Sequence, residues 1–261
     1  MSKVNRMADI LDKFIEKAKE NVSSGYYKGG QKYNGVRHSL AHKLTSKKFS
    51  LIAEIKHASP AGEYSFDKID VKKTARDFLE CGADAISVVV EPQIFHGNIG
   101  NIAMAKQAGL PVLFKDFVIS GEQIEAASCA GADAVLLVVK VADRLGLDID
   151  SLIDKAHSCK LEVLLECYDE SEMQHAAKTK ADILGINNRD LRTLKVDIGL
   201  TGRILSNFKN IGKPVISESG IRGIDDARKV REYGARGILV GTAIWTAKDL
   251  RAKILELKSD G

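Results

Sequence analysis

Eight short apolar runs recur along the chain, and the stretches between them read as helices. The runs are SLIAEIK (50–56), DAISVVV (84–90), PVLFKD (111–116), DAVLLVV (133–139), LEVLLEC (161–167), DILGIN (182–187), PVISES (214–219) and RGILVG (236–241). Three of them follow related tags, CGADA at 81–85, AGADA at 130–134 and YGARG at 233–237. Each tag describes a helix that stops at a glycine and turns directly into a strand. Strands alternating with helices pair in parallel through βαβ crossovers. Eight such units in about 210 residues predict an α/β fold, a (β/α)8 TIM barrel over 49–261. A doubly wound sheet is the competing architecture, and the regularity of the units, with no second compositional block, favours closure.

Residues 1–48 form an N-terminal extension. Val4, Met7, Ile10, Leu11, Phe14, Ile15 and Ala18 fall at helical spacing and predict an amphipathic helix over 4–18, its single apolar stripe docked on the barrel. The stretch 21–36, NVSSGYYKGGQKYNGV, is rich in Gly, Asn and Ser and predicts a loop. The first twenty residues mix Lys and Arg with Asp9, Asp12, Glu16 and Glu20, which argues against a targeting leader. No apolar stretch is long enough to span a bilayer, so no membrane is expected and the expected location is cytoplasmic. The net charge of +4 is spread among acids, with no basic run interleaved with aromatics. Nucleic acid is therefore not an expected partner, and a small anionic substrate suits the balance. Cys81, Cys129, Cys159 and Cys167 form no CxxC and read as reduced thiols. His38 and His42 lack a third ligand at a suitable spacing. Asp148, Asp150 and Asp154 lack the glycine and glutamate of a calcium loop and read as the start of the helix before the fifth strand. No metal site is expected.

In such a barrel the chemistry sits at the C-terminal ends of the strands. Strand one contributes Glu54 and Lys56, which share a face because side chains alternate. Strand three contributes Lys115, strand five Glu166, strand six Asn187 and strand seven Glu218. Parity points them inward, since Leu113, Leu164 and Gly185 precede Lys115, Glu166 and Asn187 by two. One charged residue on a strand reads equally well as an internal salt bridge. Two lysines, several carboxylates and an amide at one end imply a ligand, because burying so many charges for packing alone is costly. Strand seven runs into Ser219-Gly220 and strand eight into Gly241-Thr242. Glycine admits close backbone approach, and the loops after strands seven and eight are where barrels often hold phosphate.

At these strand ends the chain resembles the indole-3-glycerol phosphate synthase family. The resemblance is carried by IAEIKHASP (52–60), FHGN (95–98), LFKDFVI (113–119), LLEC (164–167), GINNRDL (185–191), ISESGI (216–221) and LVGTAIW (239–245). The resemblance covers the whole chain, extension included. It implies ring closure of 1-(2-carboxyphenylamino)-1-deoxyribulose 5-phosphate to indole-3-glycerol phosphate, with decarboxylation and dehydration, in tryptophan biosynthesis and without a cofactor. It implies Lys115 as general acid and Glu166 as a base or charge partner. Lys56 is implied near the aromatic carboxylate, and Glu54 as its partner and a proton relay. Asn187 is implied to orient substrate hydroxyls, with Arg189 in the adjoining loop. Phe95 would pack on the anthranilate ring and Glu218 lie near the sugar chain. Ser59, Ser219, Gly220, Gly241 and Thr242 match phosphate-side positions. The motif does not assign which lysine protonates which atom.

Three departures fall outside this chemistry: ASPAGEYS lacks the family's second serine-lysine, Val90 replaces a common threonine, and Thr242-Ala243 is one of several variants. Their bearing is on loop closure and affinity. Two rival functions are a Schiff-base aldolase using Lys115, which needs a depressed lysine pKa, and a non-catalytic phosphate-binding barrel. An isomerase of the same pathway would need an Asp/Cys acid–base pair, and none stands at matching strand ends. The expected assembly is a monomer or weak homo-oligomer.

Overall fold

A computed structural model describes residues 10–30, 32–209 and 211–259. Eight parallel strands close into a barrel in sequence order: β1 Ser50–Ile55, β2 Ala85–Val89, β3 Val112–Lys115, β4 Ala134–Val138, β5 Glu162–Cys167, β6 Ile183–Asn187, β7 Val215–Glu218 and β8 Gly237–Val240. Pairing of β8 with β1, Ser50 opposite Gly237, completes the ring. All eight expected strands are present.

Among the described residues two helices, α1 Ile10–Ser23 and α2 Leu40–Ser46, precede the barrel. The helices α3 Val71–Glu80, α4 Gly100–Lys106 and α5 Gly121–Ala130 follow the first three strands. Two helices, α6 Val139–Leu145 and α7 Ile149–Ser158, fill the connection after β4. The outer layer is completed by α8 Glu170–Ala176, α9 Gly199–Asn207, α10 Ile224–Glu232, α11 Thr242–Trp245 and α12 Leu250–Lys258. Asp148 caps α7, its side chain accepting from Asp150 N, so the aspartate cluster does start that helix.

The glycine tags do what their pattern implies. Gly82, Gly131 and Gly234 have φ of 89°, 95° and 105°, the left-handed region a helix exit needs. The aspartates of the first two tags, Asp84 and Asp133, have a further job at the barrel floor, which Asp182 shares ahead of β6. Asp84 accepts from Leu51 N at 2.9 Å and Asp133 from Val112 N at 2.8 Å; Asp182 takes Val163 N at 2.8 Å. Each side chain thereby satisfies the backbone N–H at or beside the start of the preceding strand. Lys258, Lys106 and His157 respectively face these three carboxylates.

The extension departs from expectation in two places. The helix over 4–18 is described only from Ile10, so Val4 and Met7 lie outside the described residues. It runs to Ser23 rather than ending at 18. Asn21 does not break it, because its side chain is spent on Glu91 rather than on nearby backbone. Gly25, at φ 77°, follows the end. The second departure is α2, a two-turn helix capped by Ser39, whose hydroxyl accepts from His42 N at 2.9 Å. Only Leu40 and Leu44 are buried on it, too few apolar positions to make a readable period.

Candidate active site

Inward parity at the C-terminal ends of the strands brings the charged residues into one cavity of about 600 Å³. That volume is in the range of small-molecule sites. All thirteen site residues expected from the sequence line it: Glu54, Lys56, Ser59, Phe95, Lys115, Glu166, Asn187, Arg189, Glu218, Ser219, Gly220, Gly241 and Thr242.

At its centre Lys115 Nζ donates to Glu218 Oε2 at 3.1 Å and lies 3.5 Å from Glu166 Oε2. Burial alone would push the Lys115 ammonium down, but the charges of Glu218, Glu166 and Glu54 outweigh it and hold the amine protonated. Burial pushes the Glu218 carboxyl up; Lys115 opposes this and Glu166 adds to it. Glu218 fits because its neighbour is glycine: a Cβ on Gly185 would collide with Glu218 Oε1. The register explains this, since Glu166 pairs with Gly185 and Asn187 with Glu218 on adjacent strands. Glu218 Oε1 and Glu166 Oε2 have no hydrogen-bond partner among the described residues.

Beside this cluster, Lys56 Nζ pairs with Glu54 Oε1 at 3.2 Å. Ser87 Oγ donates to Glu54 Oε2 at 3.5 Å. A Cβ on Gly241 would meet Glu54 Oε1, so that glycine is set by the close approach of β1 and β8. Trp245 donates from Nε1 to Glu54 O at 2.7 Å and packs against Phe66.

The loop after β1 folds over the cavity as a short hairpin. Ser59 N donates to Tyr64 O at 3.0 Å and Phe66 N to His57 O at 2.8 Å. The Ser59 hydroxyl donates to Glu63, whose other oxygen lies 4.0 Å from Arg189. Sequence reading missed Glu63, which stands in the departure already noted in that loop.

Three other lining or supporting residues were missed. Phe14, on α1, stacks on Phe117 at 4.7 Å and tilts against Phe95 at 5.8 Å, so the extension supplies an aromatic wall. Tyr168, just past β5, donates its hydroxyl to Glu166 and accepts from Asn187 Nδ2 at 3.1 Å. Asn188 points away from the cavity and donates to Ser217 Oγ, Glu218 O and Ser219 O. It fixes the turn at Ser219 and Gly220, both in the left-handed region at φ 66° and 83°. A Cβ on Gly220 would collide with Val196. Phe14 and Tyr168 carried signals at helical spacing and at strand parity respectively; neither charge nor motif drew attention to them.

Among the described residues no group of three or more His, Cys, Asp or Glu could hold a metal ion. No helix among them is long and apolar enough to cross a membrane.

The sequence profile of the indole-3-glycerol phosphate synthase family matches residues 5–257. An indole-3-glycerol phosphate synthase from Bacillus cereus is 36% identical over 252 residues, covering 94% of this chain and 96% of the relative. One from Bacillus mycoides is 36% identical over 251 residues, with the same coverage. Solved structures share the fold alone. A thiamine phosphate pyrophosphorylase from Pyrococcus furiosus superposes with a TM-score of 0.62 at 22% identity, covering 85% of this chain and 96% of that one. An N-acetylmannosamine-6-phosphate 2-epimerase from Clostridium perfringens gives 0.59 at 18%, covering 80% and 93%.

Proposed function

The chain belongs to the indole-3-glycerol phosphate synthase family, and from that premise we propose how its residues divide the work of the family's reaction. The enzyme is a carboxy-lyase of tryptophan biosynthesis. It closes the ring of 1-(2-carboxyphenylamino)-1-deoxyribulose 5-phosphate and releases carbon dioxide and water.

The observation that carries the assignment is the Lys115 ammonium, held between Glu218 at 3.1 Å and Glu166 at 3.5 Å at the barrel mouth. In this reading Lys115 protonates the ketone oxygen as the aromatic carbon bearing the carboxylate attacks the ketone carbon. The carbon–carboxylate bond then breaks, its electron pair restores the ring and carbon dioxide leaves. Expulsion of the hydroxyl as water needs a second proton donor and removal of a ring proton. Glu166 serves as the base, and Lys56 with Glu54 supplies an acid and its relay. Glu218, raised by burial, supports Lys115 close to the sugar chain.

The substrate's anionic ends divide between two kinds of partner. Lys56 attracts the aromatic carboxylate, and the ring sits against Phe95 and Phe14. The phosphate lies on the side of Ser59, Ser219, Gly220, Gly241 and Thr242. Support comes from the left-handed turn at Ser219-Gly220, which makes room for close backbone approach, and from Gly241 at the start of α11, where the first N–H groups lack intrahelical partners. Asn187 and Arg189 orient the sugar hydroxyls. Holding both ends aligns the reacting carbons, and orientation of this kind is worth several kcal/mol of the barrier, roughly 7–11 at its upper range.

A Schiff-base role for Lys115 is disfavoured by the same electrostatics, because an amine held protonated is a poor nucleophile. The direct test mixes the purified protein with the carboxyphenylamino sugar phosphate and follows indole fluorescence. Rising fluorescence is expected; unconsumed substrate would reject the reading.

A further inference from the structure

We infer that Tyr168 is a positioning residue that fixes which oxygen of Glu166 exchanges a proton with the substrate, an inference that rests on the function just proposed. Tyr168 follows Glu166 by two residues and keeps its inward parity just past the end of β5. Its side chain is buried, its hydroxyl lies between Glu166 Oε1 and Asn187 Nδ2, and its ring lines the cavity.

The direction of the hydrogen bonds follows from the one donor whose sense is fixed. The backbone N–H of Arg189 can only donate, and it meets Asn187 Oδ1 at 3.0 Å. The amide is therefore oriented with Nδ2 toward Tyr168, where it also can only donate. The tyrosine oxygen accepts that bond and has a single proton left to give. That proton goes to Glu166 Oε1. The chain from Arg189 N through Asn187 and Tyr168 thus runs one way and ends on a carboxylate oxygen that is an acceptor.

The other oxygen of Glu166 differs. Oε2 is buried, has no hydrogen-bond partner among the described residues, and faces Lys115 Nζ at 3.5 Å, an ammonium it shares with Glu218 Oε2 at 3.1 Å. Tyr168 occupies Oε1 and leaves Oε2 as the oxygen free to take and return a proton beside the general acid. Burial and the charge of Glu166 push the phenol well above its usual range, so the hydroxyl stays a donor through the working pH range. Ring and backbone of Tyr168 each have a further contact. Lys140 Nζ lies 4.7 Å from its centroid, and Glu172 accepts from Tyr168 N at 2.7 Å.

The test is Tyr168→Phe, which keeps the ring and deletes the hydroxyl. A hydrogen bond to a charged group of this kind corresponds to a fall in kcat of about 10- to 100-fold. KM and the affinity for the product, read by indole fluorescence, should change far less than kcat, because Asn187 keeps Arg189 N as its anchor while Glu166 loses its donor. A packing role alone would lower thermal stability and leave kcat at low temperature that of the parent. Parent-like kcat in Tyr168→Phe, or a KM that rises as much as kcat falls, would overturn the assignment of Tyr168. Failure of the unaltered protein to form indole would overturn the functional reading beneath it, so the two outcomes are separable.

Discussion

Lys115 is pulled in two directions, with burial favouring the neutral amine and the charges of Glu218, Glu166 and Glu54 favouring the ammonium. The carboxylates win because three of them converge on one cation in a largely buried site. Lys115→Ala should lower kcat by about 10²–10⁴, the usual worth of a positioned general acid, while the far-ultraviolet circular dichroism stays that of the parent. Turnover equal to the parent's would remove Lys115 from the chemistry. Strand parity made this cluster legible, because Glu54, Lys115, Glu166, Asn187 and Glu218 are polar residues at the ends of otherwise apolar runs. Tyr168 shares the parity and escaped notice because a tyrosine after a strand is unremarkable by composition. Asn188 escaped for a different reason. Two adjacent amides look equivalent in a sequence, and only the alternation of the backbone sends Asn187 into the cavity and Asn188 out toward Ser217 and Ser219.

At the scale of elements, α1 is both scaffold and wall. It buries Leu11, Phe14, Ile15 and Ala18, and its landing place could not be read from their period. The helix lies at the barrel mouth, where Phe14 meets Phe95 and Phe117. Phe14→Ala should cost about 3–5 kcal/mol, typical of deleting a buried phenylalanine, and should raise KM for the aromatic substrate more than it lowers kcat. Denaturant melts and steady-state kinetics on one preparation decide this; unchanged KM would detach Phe14 from the substrate. The segment after α1 is tied by Tyr27, whose hydroxyl donates to Asp116 Oδ2 at 2.7 Å. Burial pushes the Asp116 carboxyl up to about 7, against the donors Tyr27 and Phe117 N and with Glu91 adding to it. In an unfolded chain the same group titrates near about 4. The native state thus holds the extra proton between about pH 4 and 7, so this group's contribution to stability falls as pH rises through that window and levels off above it. Asp116→Asn should flatten the decline, so that melting temperatures at pH 5 and pH 8 differ less than in the parent. Parallel declines in the two proteins would show that Asp116 is not the titrating group.

Across the whole molecule, stability and chemistry sit at opposite ends of the barrel. The floor is held by Asp84, Asp133 and Asp182, each satisfying a backbone N–H of the preceding strand and facing a basic partner. Asp133 and Lys106 are the most deeply buried of these pairs. Asp133→Asn leaves the Lys106 ammonium buried without a counter-charge and should cost about 3–5 kcal/mol, read as a lower melting temperature. KM at low temperature should match the parent, and a change in it would show that floor and mouth are coupled. The barrel itself was legible because eight repeats of one pattern admit few topologies. The path of the extension was not, because its partners are distant in sequence.

That path sets an order of assembly. Asn21 reaches Glu91, Tyr27 reaches Asp116, Arg37 reaches Ser128 and Ala132, and Ser39 to Ala41 bind Glu162. Leu44 packs beside Gly237, on the final strand. These moorings appear one after another along the chain, from Glu91 just past β2 to Gly237 in β8. The extension is therefore fastened in stages, and its last anchor arrives only with β8.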